Sequence, residues 1–282
     1  MSYITRQLGI KLTAEQMRAS GEKMGLVALP SDPSKVKFAA SAIRSDILHA
    51  CDISEEVGIG YGFNNIPMQE CPTNTVGGFI PQNKFTDLMR HEVAQAGFIE
   101  SLTFALVSMK ENYVNLRYPV DENEAVRLSN PKTKEFEVVR TSLIPGLLKT
   151  LQSNQSERLP QKIFEISDTT VIDDSTDTGA KNVRRICIMQ LNTQDNFEVI
   201  HGALGLLMTK ISATLGKDYT LVEDENDRKF FPGRGAKVVL AGQPIGSIGV
   251  LHPEVLASFE LKNPVSVMEI DLEPVWQFFK SH

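Results

Sequence analysis

No apolar run in this chain approaches the roughly 20 residues needed to cross a bilayer. The opening stretch, MSYITRQLGIKLTAEQ, lacks the basic-then-apolar layout of a secretory leader. The expectation is a cytoplasmic protein with no membrane partner. Its abrupt start on a helix or strand pattern is what a piece of a longer chain would show. Cysteine is scarce. Cys51, Cys71 and Cys187 are odd in number and have no zinc-pair spacing, which argues against a disulfide framework or a cysteine-based zinc site. Positive charge is also short: 29 Lys and Arg against 35 Asp and Glu give a formal charge of −6. Such a chain is not built as a whole to hold a polyanion, so a nucleic-acid contact must be local or supplied by a partner. There is no P-loop, nucleophile elbow or paired histidine to anchor a familiar catalytic site. Internal repeats and low-complexity tracts are absent too.

What is present suits two medium domains with real cores, since 41% of the 282 residues are hydrophobic and 23% charged. In the first block, Thr13 with Gln16 three residues on has the layout of a capping box, and Gly25 marks a stop. VKFAASAIRSDI reads as extended and DISEEVGIGYG as a helix, together a small winged-helix-like module. MQECPTNTVGGFIPQ is dense in turn formers and reads as a connection, so the expected domains are residues 1–70 and 71–282.

The second block mixes helices with many strands. In NKFTDLMRHEVAQAGF, Phe85, Leu88, Met89, Val93 and Ala96 recur at helical spacing, and Gly97 follows at the C′ position. That face suits either a core or a subunit interface. ESLTFALVS, AVRLSNP, QKIFEIS and RRICIMQL read as strands. TSLIPGLLKTLQSNQ reads as a helix capped by Thr141 or Ser142, with Pro145 in its first turn. VIHGALGLLMTKISATLG is expected to be helical up to Gly216, AKVVLAGQPIGSIGVL to be a hairpin and HPEVLASFEL a short helix. VSVMEIDLEPVWQFF ends the chain as an alternating strand. The class is α+β with a largely antiparallel sheet rather than a regular βαβ alternation.

The densest chemistry lies in RSDILHACDISEEVGIGYG. A helix starting near Asp52 puts Glu55 and Glu56 on the same side, with Ile53, Val57 and Tyr61 opposite, and Asp46 can fold back towards them. Four gathered carboxylates repel unless a cation intervenes, and hard oxygen ligands favour Mg²⁺ or Ca²⁺. Two plainer readings stand beside this one. Asp52 can be an N-cap completed by Glu55, with Glu56 solvated, or Arg44 or a partner's basic residue can neutralise the cluster. The metal reading also admits a different class of protein, a stand-alone Mg²⁺-dependent phosphotransfer enzyme using Asp46, Asp52, Glu55 and Glu56. A plain nucleic-acid-binding winged helix is disfavoured by the net acidity. His49, His201 and His252 read as capping or packing residues. Gly233-Arg234-Gly235 is a short glycine motif that suits a strand-entry loop better than a phosphate cradle. Arg140, before a capped helix, suits anion recognition or a salt bridge.

Several long segments, in order, resemble one family. RSDILHACDISEEVGIGYGFNNIP is similar to the end of the B5 domain of phenylalanyl-tRNA synthetase beta subunits of the archaeal and eukaryotic cytosolic type. NKFTDLMRHEVAQAGFIESLTFALVS, NPKTKEFEVVRTSLIPGLLKTL, KIFEISD, FFPGRGAKVVLAGQPIGSIGVLHPEVLASFEL and MEIDLE resemble its catalytic-like module. The resemblance implies a winged-helix-like B5 module and an inactive class II synthetase-like module. It further implies an alpha-subunit partner in an (αβ)2 heterotetramer, and charging of tRNA(Phe) with ATP, bound mainly by alpha, and Mg²⁺. The segment GVLHPEVLASFEL lacks the Gly-rich run ending in Glu-Arg that a working class II site uses. A D-x5-D-x2-E-E pattern, here Asp46, Asp52, Glu55 and Glu56, is associated in the family with Mg²⁺ at a site shared with alpha. The family's editing domain normally precedes B5 and has no counterpart in these residues, so no editing activity is expected of them.

Overall fold

The computed structural model describes residues 1–281 except Pro72 and Asn74. The chain divides into two compact units at Gly77/Gly78, a few residues beyond the expected boundary and inside the segment read as a connection.

The first unit contains α1 (Ser2–Leu8), α2 (Ala14–Lys23), β1 (Val27–Leu29), β2 (Lys37–Ala39) and α3 (Ala50–Tyr61). The Thr13 hydroxyl accepts from Gln16 N at 3.2 Å, and the Gln16 side chain accepts from Thr13 N at 2.9 Å, completing the capping box. Gly25 takes the left-handed conformation that turns the chain out of α2. The segment read as extended is a strand only over Lys37–Ala39, paired antiparallel with β1. Beyond it, Ser41 to Asp46 turns back, with Arg44 N donating to Ser41 O. The core is Ile4, Leu12, Met17 and Val57, with Ile53 and Tyr61 of α3 packed against it, as the helical spacing predicts.

The second unit contains α4 (Pro81–Gln95), β3 (Ile99–Glu100), β4 (Leu106–Val107), α5 (Met109–Asn112), β5 (Val138–Val139), α6 (Ile144–Ser153), β6 (Gln161–Ile172), β7 (Ala180–Leu191), α7 (Phe197–Lys210), β8 (Tyr219–Glu223), β9 (Phe230–Leu240), β10 (Gln243–Leu251), α8 (Pro253–Ser258), β11 (Val265–Asp271) and α9 (Leu272–Ser281). Seven strands form one sheet in the order β3-β6-β7-β11-β10-β9-β8. Every pairing in it is antiparallel except β3 with β6.

Both faces of this sheet are buried at its central strands. Ile186 and Ile188 of β7 and Met268 and Ile270 of β11 pack under α4, α7 and α9. The alternate residues Cys187, Met189, Val265 and Val267 pack under α6 and α8. Successive side chains of a strand leave on opposite faces, so a sheet covered on both sides needs continuous apolar runs such as ICIM.

Several segments depart from their sequence pattern. ESLTFALVS is not one strand. Ser101 N donates to Phe164 O, after which the chain leaves the sheet and re-pairs only at Leu106–Val107 with β5. AVRLSNP contributes a single bridge, Arg127 with Val138. α7 stops at Lys210, ahead of the expected Gly216, because Ser212 already takes the left-handed conformation at φ 62°. α6 is flanked by Leu143 rather than capped by Thr141 or Ser142 at the N-cap itself, although the Ser142 hydroxyl accepts from Ile144 N at 3.1 Å. The strand β11 ends at Asp271, and the last residues form α9. From Leu272 onwards the buried positions, Leu272, Val275 and Phe278, are three apart, a helical spacing. On α4, Phe85, Met89 and Val93 are buried, whereas Leu88 is exposed.

Candidate functional site

A cleft of about 380 Å³ opens on the α6 side of the large sheet. Arg185 of β7 and Glu269 of β11 enter it from strand positions that alternate with buried Ile186 and Met268. Glu269 accepts from Leu143 N at 2.6 Å and from the Ser142 hydroxyl at 2.9 and 3.1 Å. Arg185 donates to Asp271 at 2.8 Å and to Thr141 O, and lies 3.8 Å from Glu269. Burial works against its charge, but Glu269 and Asp271 outweigh that and raise its pKa.

The second cation of the cleft, Lys229, is paired with Asp227 and donates to the Tyr118 hydroxyl at 3.1 Å. Tyr118 itself donates to Asp227. Burial, then the Asp227 charge, push its phenol well above the ordinary range. Tyr113 donates to Glu124 at 2.9 Å and is shifted the same way, by burial first and by that hydrogen bond next. The ionisable lining groups thus include three carboxylates, Asp121, Glu124 and Glu269, against two cations that are already paired.

The carboxylates singled out from the sequence lie in the first unit. Asp46 accepts from Arg44 at 2.6 and 2.9 Å, and Glu56 accepts from the same guanidinium at 2.7 Å. Arg44 holds the Asp46 carboxyl below the usual carboxylate range. Asp52 accepts from His49 N at 2.7 Å and Leu48 N at 2.8 Å, which depress its pKa in that order. It is therefore the third residue of a capping box whose N-cap is His49, and not the N-cap itself. Glu55 is exposed, while Glu56 is buried rather than solvated. Among the described residues no group of three or more His, Cys, Asp or Glu is disposed to hold a metal. As arranged, the four side chains do not fit a magnesium ligand set.

The remaining candidates resolve as structural residues. Arg140 makes a buried ion pair with Glu165 at 2.8 Å. Arg234 lies within β9, paired with Asp195. His252 caps α8 by accepting from Glu254 N, and His201 packs from inside α7, stacked on Phe197. The cleft residues Tyr113, Tyr118, Arg185, Lys229 and Glu269 escape a reading of the sequence because they are spread over several elements and loops. The one available signal was a charged residue near an end of two otherwise apolar strand runs, RRICIMQL and VMEID.

A mostly antiparallel sheet with helices on both sides and a polar cleft on one face is a mixed α+β architecture, and its likeness to a solved synthetase gives the fold. The chain resembles the solved structure of a pyrrolysyl tRNA synthetase from Desulfitobacterium hafniense with a TM-score of 0.60 at 13% identity, over 94% of this chain and 87% of the other. Residues 66–272 match the family described as "Phenylalanyl tRNA synthetase beta chain CLM domain", and residues 1–63 match "tRNA synthetase B5 domain". The chain belongs to the phenylalanyl tRNA synthetase beta chain family. Similar curated proteins include the phenylalanine–tRNA ligase beta subunits of Homo sapiens, 42% identical over 96% of this chain and 46% of that protein, and of Drosophila melanogaster, 45% identical over 95% and 46%. The cytoplasmic beta subunit of Arabidopsis thaliana is 37% identical over 98% and 48%. The chain spans about half the length of these relatives.

Proposed function

We propose that this chain is a non-catalytic part of the beta subunit of a phenylalanine–tRNA ligase. It docks onto a catalytic alpha subunit in an (αβ)2 assembly and supports charging of tRNA(Phe) in the cytoplasm. The observation that carries the reading is the charge of the cleft. Adenylate formation needs free cations to hold the ATP phosphates and the charge that develops on them. Here Arg185 is held by Asp271 and Lys229 by Asp227, and Asp121, Glu124 and Glu269 face the same space. A triphosphate entering it would meet net repulsion.

Docking is supported by apolar surface on and just after α4. Leu88, Ile99, Leu102 and Phe104 are all exposed, Leu102 to 82%, and exposed apolar groups gathered in one stretch suit a protein interface. ATP and Mg²⁺ belong to the reaction of the whole ligase in this reading. The stand-alone phosphotransfer alternative draws no support, because Arg44 occupies two of the carboxylates it would use.

The test is ATP–pyrophosphate exchange dependent on phenylalanine. The chain alone is expected to show none, and full-length beta combined with alpha to show it. Exchange catalysed by the chain alone would overturn the proposal.

A further inference from the structure

The carboxylate pattern and its geometry disagree. Asp46 and Asp52 are provided for within the chain, and Glu56 through one of its two oxygens. Two backbone N–H groups serve Asp52, and one guanidinium serves both Asp46 and Glu56. A further Arg44 nitrogen donates to Met24 O at the end of α2, at 3.1 Å. Arg44 thereby ties the end of α2, the loop at Asp46 and the second turn of α3 together. The Glu56 side chain is only 10% exposed, and its Oε2 is buried with no hydrogen-bond partner. Without Arg44 this carboxylate would lose its counter-charge, a strongly unfavourable state for a buried ion.

We infer that Arg44 is the built-in counter-cation of this cluster, and that a divalent ion and the Arg44 guanidinium are mutually exclusive there. The forked guanidinium reaches both carboxylates at once, which a lysine ammonium on its flexible stem does not reproduce. Arg44 is a positioning residue, and the unit closes without metal.

The test uses Mn²⁺ as the divalent probe, with the 282-residue chain and loss of the free-ion electron paramagnetic resonance signal as the readout. The unsubstituted chain is expected to leave sub-millimolar Mn²⁺ free. Arg44→Met is expected to bind it about tenfold more tightly or better, and adding Asp46→Asn to that variant to abolish the gain. Arg44→Lys keeps the excluding charge without the fork, so it is expected to leave Mn²⁺ free while melting at a lower temperature. Should Arg44→Met fail to fold by circular dichroism, Arg44→Met with Glu56→Gln removes the stranded charge and is expected to recover folding. Binding of Mn²⁺ by the unsubstituted chain that Asp46→Asn removes, no gain in a folded Arg44→Met, or no recovery in the double variant would each overturn the inference.

Discussion

Arg140 and Glu165 form the most enclosed ion pair described in the second unit, with side chains 4% and 0% exposed. Thr103 completes a closed triangle with them, since its hydroxyl donates to Glu165 at 2.6 Å and accepts from Arg140 at 2.8 Å. Removing one partner strands the other. Arg140→Ala is expected to cost about 3–5 kcal/mol in urea unfolding, and replacing both partners with apolar residues of similar volume much less. The tyrosines give a pH prediction. Tyr113, Tyr118 and Tyr219 have raised pKa values, with burial the largest cause in each and the sole cause for Tyr219. A folded-state pKa above the unfolded value means the associated stability is complete below about pH 10 and is lost as pH rises beyond it. Alkaline unfolding is therefore expected to be accompanied by a rise in phenolate absorbance. Phenolate absorbance and circular dichroism recorded on one pH series check this, and completion of the absorbance rise before any loss of the circular dichroism signal would contradict it.

At the scale of elements, close crossings decide more than propensity does. A Cβ on Gly60 of α3 would lie 2.0 Å from the backbone oxygen of Ser20 in α2. Helix propensity alone favours alanine over glycine by about 1 kcal/mol, but the clash forces the two helices apart. Gly60→Ala is expected to destabilise the first unit, with thermal melting as the check. The β9–β10 hairpin offers the opposite case. Its two turn residues, Ala241 and Gly242, both have positive φ, at 48° and 80°. Asparagine tolerates that conformation better than alanine, so Ala241→Asn is expected to stabilise the second unit by about 1 kcal/mol in the same melting measurement. The hairpin itself was legible from the turn formers between two apolar runs. ESLTFALVS was not, because the pattern of a strand says nothing of whether a neighbour is available along its whole length. Pairing for Ile99–Glu100 comes from Ile163 and Phe164 of β6, distant in sequence.

For the molecule as a whole, the proposed docking surface and the core must be separable. Leu88→Lys and Leu102→Lys change exposed positions, so each is expected to leave stability within about 0.5 kcal/mol. Each should nonetheless weaken co-purification with an alpha subunit, and unaltered association would remove this surface from the interface. Met89, the next residue after Leu88, is buried in the core against the sheet. The two fall on different sides of one helix, a distinction that the apolar spacing left open.

The order of long motifs was enough to mark the family, and apolar periodicity with capping residues was enough for most helices and the central strands. Those signals are local, and a neighbour within a few residues decides them. The fate of the charges was not local. Whether Arg140 would bind an anion or a carboxylate depended on Glu165 from another strand. Whether four carboxylates would gather around a metal depended on how a turn brought Arg44 against α3. Electrostatic energy follows distance in space, and only the folded chain sets those distances.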